Sequence, residues 1–203
     1  GAGSGKTRVI AYRVAYLVGS GVADASEVLA VTFTNKAAEE LRQRVELLLG
    51  RANRGLWVST FHALCARLLR REATHIGLPR DFVIYDTSDQ LSAVKQVLKA
   101  LRIEESLIQP RAALSAISRA KNSMQSPAAL AALRSGYRDD QLARVYLEYT
   151  KSLEASGALD FDDLLVRTVE LFEKAEVVRR HYAQRFRFVM VDEYQDTNRP
   201  QYL

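Results

Sequence analysis

Gly1-Ala2-Gly3-Ser4-Gly5-Lys6-Thr7-Arg8 places three glycines in five positions ahead of a Lys-Thr pair. Such a run can turn successive backbone N–H groups toward one phosphate, because glycine permits the tight path required. Lys6 is spaced to reach the β- and γ-phosphates of ATP and the Thr7 hydroxyl to ligate Mg²⁺, the pattern of a Walker A loop. Nearly the whole chain away, the apolar run Phe188-Val189-Met190-Val191 delivers Asp192-Glu193. An acidic pair at the end of an apolar strand, downstream of such a loop, reads as a Walker B element. Asp192 is then the metal-side carboxylate, and Glu193 is placed to orient or deprotonate the water that attacks the γ-phosphate. A second acid points to hydrolysis, since a small-molecule kinase would exclude water.

These groups need a frame. Val9, Ile10, Val14 and Leu17 have helical spacing, which puts the phosphates at a helix N-terminus; that helix should end near Gly19 or Gly21. Val28 to Phe33 reads as a strand buried on both faces of a parallel sheet. It runs into a helix with Asn35 as N-cap, a face of Ala38, Leu41, Val45 and Leu48, and Gly50 as its stop. Leu56 to Ser59 is a second strand, followed by Thr60-Phe61-His62 and a helix through Arg71. That helix should turn Leu64, Leu68 and Leu69 inward and a solvated face of Arg67, Arg70 and Arg71 outward. Phe82 to Tyr85 is a third short strand.

From Asp86 the pattern is helix after helix, with no further strand for about a hundred residues. Thr87-Ser88-Asp89-Gln90 reads as a capping box, and Ser126-Pro127 as a second helix start. Leu91, Val94, Leu98 and Leu101 form one apolar stripe, and Leu142, Val145, Tyr149 and Leu153 another that Gly157 ends. Tyr137, Tyr146 and Tyr149 are expected in or beside that core. Leu159 to Leu165 starts another helix, its acids near the positive dipole end, and Phe188 to Val191 returns as a buried strand. An α/β layer thus opens the chain, a helical block interrupts it, and the layer resumes.

Composition narrows the class. With 48% apolar and 26% charged residues the chain has the make-up of an ordinary globular protein, and no apolar run approaches a membrane span. A single cysteine, Cys65, excludes an internal disulfide framework and fits a reducing, cytoplasmic setting. It lies in an apolar helical pattern that suits a buried thiol. Three scattered histidines and no second cysteine argue against structural zinc. The net charge of +5 suits a polyanionic partner.

Five segments carry a family resemblance in chain order: Gly1 to Arg8, Leu29 to Leu41, Ser59 to His62, Asp160 to Leu165 and Val191 to Asn198. The series closely resembles the UvrD/Rep/PcrA family of superfamily 1 DNA helicases. The resemblance implies an α/β fold: a RecA-like P-loop core of residues 1–85 and 159–203 interrupted by a helical subdomain of residues 86–158. It further implies ATP-driven movement along single-stranded DNA, usually 3′ to 5′, with unwinding of duplex in DNA repair or replication. By resemblance, Gly1, Ala2, Gly3, Ser4, Gly5, Lys6 and Thr7 form the nucleotide cradle, and Arg8 lies near the base or ribose. Thr7 and Asp192 take the metal and Glu193 is the catalytic base. Gln195 links the nucleotide site to the DNA-facing segments, which are Phe33, Thr34 and Asn35 with Thr60, Phe61 and His62.

The pattern's first residue and its feeding strand would precede Gly1, and the chain stops at Leu203 before a second motor domain. The expectation is therefore a fragment cut at both ends, poor at binding ATP and DNA and unable to unwind alone. A P-loop kinase, a non-catalytic helicase-derived DNA-binding module and a helicase–nuclease subunit are the alternative readings. Oligomeric state is not legible.

Overall fold

The apolar run at 28–32 becomes β1, Val28–Thr32, buried along its whole length. In the computed structural model, which describes residues 5–132 and 136–203, the chain sorts into two units. One comprises residues 1–67 and 172–197, the other residues 68–171 and 198–203.

The first unit is an α/β layer. Helix α1 (Lys6–Gly19) precedes β1, α2 (Asn35–Leu49) follows it, and then come β2 (Trp57–Thr60) and the start of α3 (Phe61–Glu72). Among the described residues its sheet has the order β2-β1-β5, with β5 at Phe188–Val191 and every pairing parallel. In parallel strands, facing residues share a side of the sheet. Ala30 pairs with Val58 and Met190, and this face packs with Phe188 on Ala11, Val14, Ala38, Leu41 and Val45 of the two helices. On the other face Leu29 pairs with Trp57. The Trp57 ring meets Phe186 at 5.1 Å and lies under the Arg67 and Arg185 guanidiniums at 3.7 and 4.8 Å. The expected solvated arginine face is therefore corrected for Arg67. Its head is exposed, but its plane covers an aromatic ring that would otherwise meet water.

The second unit is mostly helical. It contains α4 (Thr87–Ala100), α5 (Pro110–Asn122), α6 (Pro127–Ala132), α7 (Tyr137–Ala155), most of α8 (Phe161–Lys174) and the short α10 (Arg199–Tyr202). Helix α9 (Glu176–Arg185) lies in the first unit. Val94 and Leu98 of α4, Ala113 and Ile117 of α5, and Val145, Tyr149 and Leu153 of α7 share one buried cluster. Two short strands, β3 (Val83–Ile84) and β4 (Ala158–Leu159), pair in parallel beside it.

A mixed α/β chain with a parallel sheet was the expected class, and that is what forms. Several local expectations are corrected. The stretch read as free of strands contains β4, whose two residues are too few to show a period. Strand β5 is only half-buried, with Val189 56% exposed, because Phe188 and Met190 alone face the helices. The cap of α2 is Thr34 and not Asn35: the Thr34 hydroxyl accepts from the Ala37 N–H at 3.1 Å, so the helix starts one residue sooner. The box of α4 starts at Asp86, whose carboxylate accepts from the N–H groups of Ser88 and Asp89 at 2.7 and 2.9 Å. Those backbone bonds, with the Ser88 hydroxyl, hold the Asp86 carboxyl below its ordinary pKa. Val9, Leu48 and Tyr137 are exposed, each lying off the buried stripe of its helix.

Candidate active site

Parallel strands put their C-terminal ends on one edge, where α/β proteins place ligand-binding groups. Here Thr32 of β1 pairs with Thr60 of β2, and Val31 pairs with Val191 of β5, so three strand ends lie side by side. Asp192 continues the ladder by donating its N–H to the Val31 carbonyl at 2.9 Å. Its side chain is 5% exposed.

Thr7, in the first turn of α1, donates its hydroxyl to Asp192 Oδ2 at 2.7 Å, across 185 residues of sequence. The two predicted metal-side groups are thus brought together. The other carboxylate oxygen, Asp192 Oδ1, is buried with no hydrogen-bond partner among the described residues. An ionised oxygen buried unpaired is costly, and a cation is the usual means of satisfying it. A hydroxyl and a carboxylate also make the hard oxygen set that suits Mg²⁺, so the residues present fit that ion. Among the described residues there is no group of three His, Cys, Asp or Glu side chains placed to hold a metal.

Gly5 stands before α1 at φ 78°, a left-handed conformation that L side chains rarely adopt. Gly1, Ala2, Gly3, Ser4 and the Lys6 side chain lie outside the described residues. Arg8 is exposed. Glu193 follows Asp192 at φ 53°, also left-handed, and accepts a hydrogen bond from the Gln195 amide. A non-glycine residue at such an angle needs its surroundings to hold it there.

At the neighbouring corners, Thr34 and Asn35 are exposed and Phe33 and His62 are half-buried. Phe33 and Phe61 place their rings 5.4 Å apart, with Phe61 the more buried. Both corner threonines are already engaged. Thr34 caps α2, and the Thr60 hydroxyl accepts from the Ala63 N–H at 3.3 Å at the start of α3. What these corners leave outward is part of the Phe33 ring, backed by buried Phe61, and a polar Thr-Asn step.

One cluster escaped the sequence reading. In the second unit, Lys121 of α5 is 3% exposed and places Nζ 2.7 Å from both Asp160 Oδ2 and Asp163 Oδ1. Tyr149 donates its hydroxyl to the same Asp160 oxygen at 3.0 Å. Asp160 Oδ1 caps α8 by accepting from the Asp163 N–H at 2.8 Å. Burial by itself pulls the Lys121 pKa down, but the two carboxylates outweigh it and hold it above the ordinary value. Burial pushes the Asp163 carboxyl up, against the pull of Lys121. The signal was available: Lys121 falls four residues after Ile117 and eight after Ala113, on the buried stripe of α5. A charge on such a face must be paired.

Among the described residues no helix is long and apolar enough to cross a membrane. A family model described as the UvrD/REP helicase N-terminal domain matches residues 1–203. The ATP-dependent DNA helicase PcrA of Bacillus subtilis (strain 168) is 45% identical over 203 residues, covering all of this chain and 28% of that protein. The enzyme of the same name from Staphylococcus aureus (strain Mu50) is 46% identical over 202 residues, and that from Staphylococcus epidermidis 44% over 202. The chain spans 28% of the length of each of these curated relatives. A family model matched from residue 1 to residue 203, over a sheet edge that joins Thr7 to Asp192, leaves one conclusion: the chain belongs to the UvrD/REP helicase N-terminal domain family.

Proposed function

We propose that this domain is the ATP-hydrolysing front of a motor that moves 3′ to 5′ along single-stranded DNA and opens duplex ahead of it. It works in the cytoplasm, in DNA repair or replication. The observation that carries this reading is the Thr7–Asp192 bond at 2.7 Å beside a buried, unpaired carboxylate oxygen. The names of the relatives, ATP-dependent DNA helicases, support it. In this reading residues 1–85 and 159–203 form a RecA-like P-loop core, and residues 86–158 are a helical subdomain inserted into it.

Thr7 and Asp192 would hold Mg²⁺, which when bound would supply positive charge against the charge developing on the phosphates. In this reading the Gly1 to Gly5 segment is the phosphate cradle and Lys6 its cation, roles that rest on residue type and spacing. Arg8 sits toward the base or ribose. Glu193 takes a proton from the attacking water and orients it, and Gln195, hydrogen-bonded to Glu193, carries the state of that group toward the DNA-facing corners. At those corners the half-buried Phe33 ring, backed by the buried Phe61 ring, offers a face for base stacking. Exposed Thr34 and Asn35 and the start of α3 at Thr60 and His62 meet the phosphates. Stacking contributes about 1–3 kcal/mol per base and is sequence-tolerant, as a translocating motor requires.

The test is ATP turnover by the natural full-length protein, with and without single-stranded DNA. Turnover should rise when the strand is added. Glu193→Gln should lower kcat by about 10²–10⁴-fold while nucleotide binding is retained. Turnover indifferent to DNA would remove the motor reading, and an unchanged kcat in Glu193→Gln would remove Glu193 from its role.

A further inference from the structure

The last residue of β1 is a threonine in an otherwise apolar strand. Thr32 is wholly buried, as are Val28 and Ala30, yet it carries a hydroxyl whose burial is costly without a partner. The hydroxyl meets that partner two residues on, donating to the Thr34 carbonyl at 3.1 Å. The bond spans Phe33 at the corner between β1 and α2. The same carbonyl accepts the Ala38 N–H at 3.0 Å, and the Thr34 hydroxyl caps α2. Phe33 is thus held between a strand that ends at Thr32 and a helix that starts after Thr34.

The neighbouring corner repeats the device. Thr60 of β2 is the Cα partner of Thr32, is 7% exposed, and accepts from the Ala63 N–H at 3.3 Å across Phe61. Two threonines side by side close two corners, and a phenylalanine follows each. The two rings meet at 5.4 Å with their planes inclined at 58°. Phe61 is buried and serves as the backing, while Phe33 keeps part of its ring outward. All of these residues lie in the first unit. The Thr60 bond has a structural duty, since it satisfies an N–H at the start of α3. The Thr32 bond has no such duty, because the Thr34 carbonyl already has the Ala38 N–H and Thr34 is exposed. What the Thr32 bond adds is a fixed backbone path through Phe33.

Resting on the reading of Phe33 as a strand-facing residue, we propose that Thr32 is a positioning residue for it. The Thr32 hydroxyl sets the corner so that the Phe33 ring stays against Phe61 and presents its open part to a base. Thr32 itself, wholly buried, touches no DNA and acts through that ring.

The natural full-length protein tests this by its binding of a fluorescent oligothymidylate strand without nucleotide. Thr32→Val keeps the branched shape and removes the donor. One stacked base is worth about ten-fold or more in affinity, and a partial loss of ring position should weaken the strand about three- to five-fold. Tm should stay unchanged. Thr32→Ser should do the reverse, with parental strand affinity because the donor remains and a lower Tm because a buried methyl is lost. Phe33→Ala should weaken the strand about ten-fold, and adding Thr32→Val to it should change nothing further, because both act at one ring. If Thr32→Val does not fold, Thr32→Cys, of similar size and with only a weak donor, takes its place. Parental strand affinity in the Thr32 variant that lacks the hydroxyl overturns the proposal. So does a loss that comes with a fall in Tm or that adds to the loss in Phe33→Ala, the marks of a merely structural residue. With Phe33→Ala weakened, such a result sinks only the role of Thr32. Parental strand affinity in Phe33→Ala sinks the strand-facing reading of Phe33 and this proposal with it.

Discussion

Asp160 and Asp192 begin from the same circumstances and end differently. Each follows a strand of a parallel pairing, and each is almost wholly buried, at 2% and 5% exposure. Asp160 is saturated: Lys121 and Tyr149 meet one oxygen and the Asp163 N–H meets the other. Asp192 has Thr7 on one oxygen and nothing among the described residues on the other. A fold selected only for stability would satisfy both, since an unpaired buried acceptor costs about 1–3 kcal/mol. The difference separates a carboxylate saturated within the structure from one that, in the reading proposed above, is left open for a ligand.

The largest effect that would sharpen this contrast is at Lys121. Removing one partner of a buried ion pair leaves the other charge uncompensated, so Lys121→Met should destabilise the second unit by about 3–5 kcal/mol in chemical denaturation. A loss below about 1 kcal/mol, the range of exposed pairs, would show that the node is not the clamp described.

A smaller effect should appear at high pH. Burial pushes the Tyr146 hydroxyl up to about 12, and Lys121 is also held above its ordinary value. Groups whose pKa is raised on folding stabilise fully below the unfolded value and lose that contribution as pH rises through the folded one. Stability of the second unit should therefore be level up to about pH 10 and fall between about pH 10 and 12. Tyr146→Phe should flatten part of that fall, and a pH-independent Tm across this window would break the account.

Most of the sheet and its edge could be read from residues alone. Apolar runs at 28–31 and 188–191 declare parallel strands, and both lead into the residues proposed for the site. The Thr7–Asp192 pairing follows from residue types whose joint purpose is narrow. Less legible were features that depend on neighbours distant in sequence. The two-residue β4 exists only because Ile84 is there to pair with Leu159. Asp160 looked like a simple helix cap because its partner, Lys121, lies 39 residues away on another helix. The cap positions at Thr34 and Asp86 slipped by one residue because adjacent polar side chains compete for the same N–H groups.

The most direct measurement pairs Asp192→Asn with Asp160→Asn in the natural full-length protein. It reads Tm without ligand and affinity for an ATP analogue with Mg²⁺ by calorimetry. Asp192→Asn should leave the unliganded Tm unchanged and weaken Mg²⁺-dependent nucleotide binding by about ten-fold or more, about 1.4 kcal/mol. Asp160→Asn should do the reverse, lowering Tm while the nucleotide binds as in the parent. Parental Mg²⁺–nucleotide affinity in Asp192→Asn would contradict the claim that its open oxygen is kept for a metal-bound phosphate.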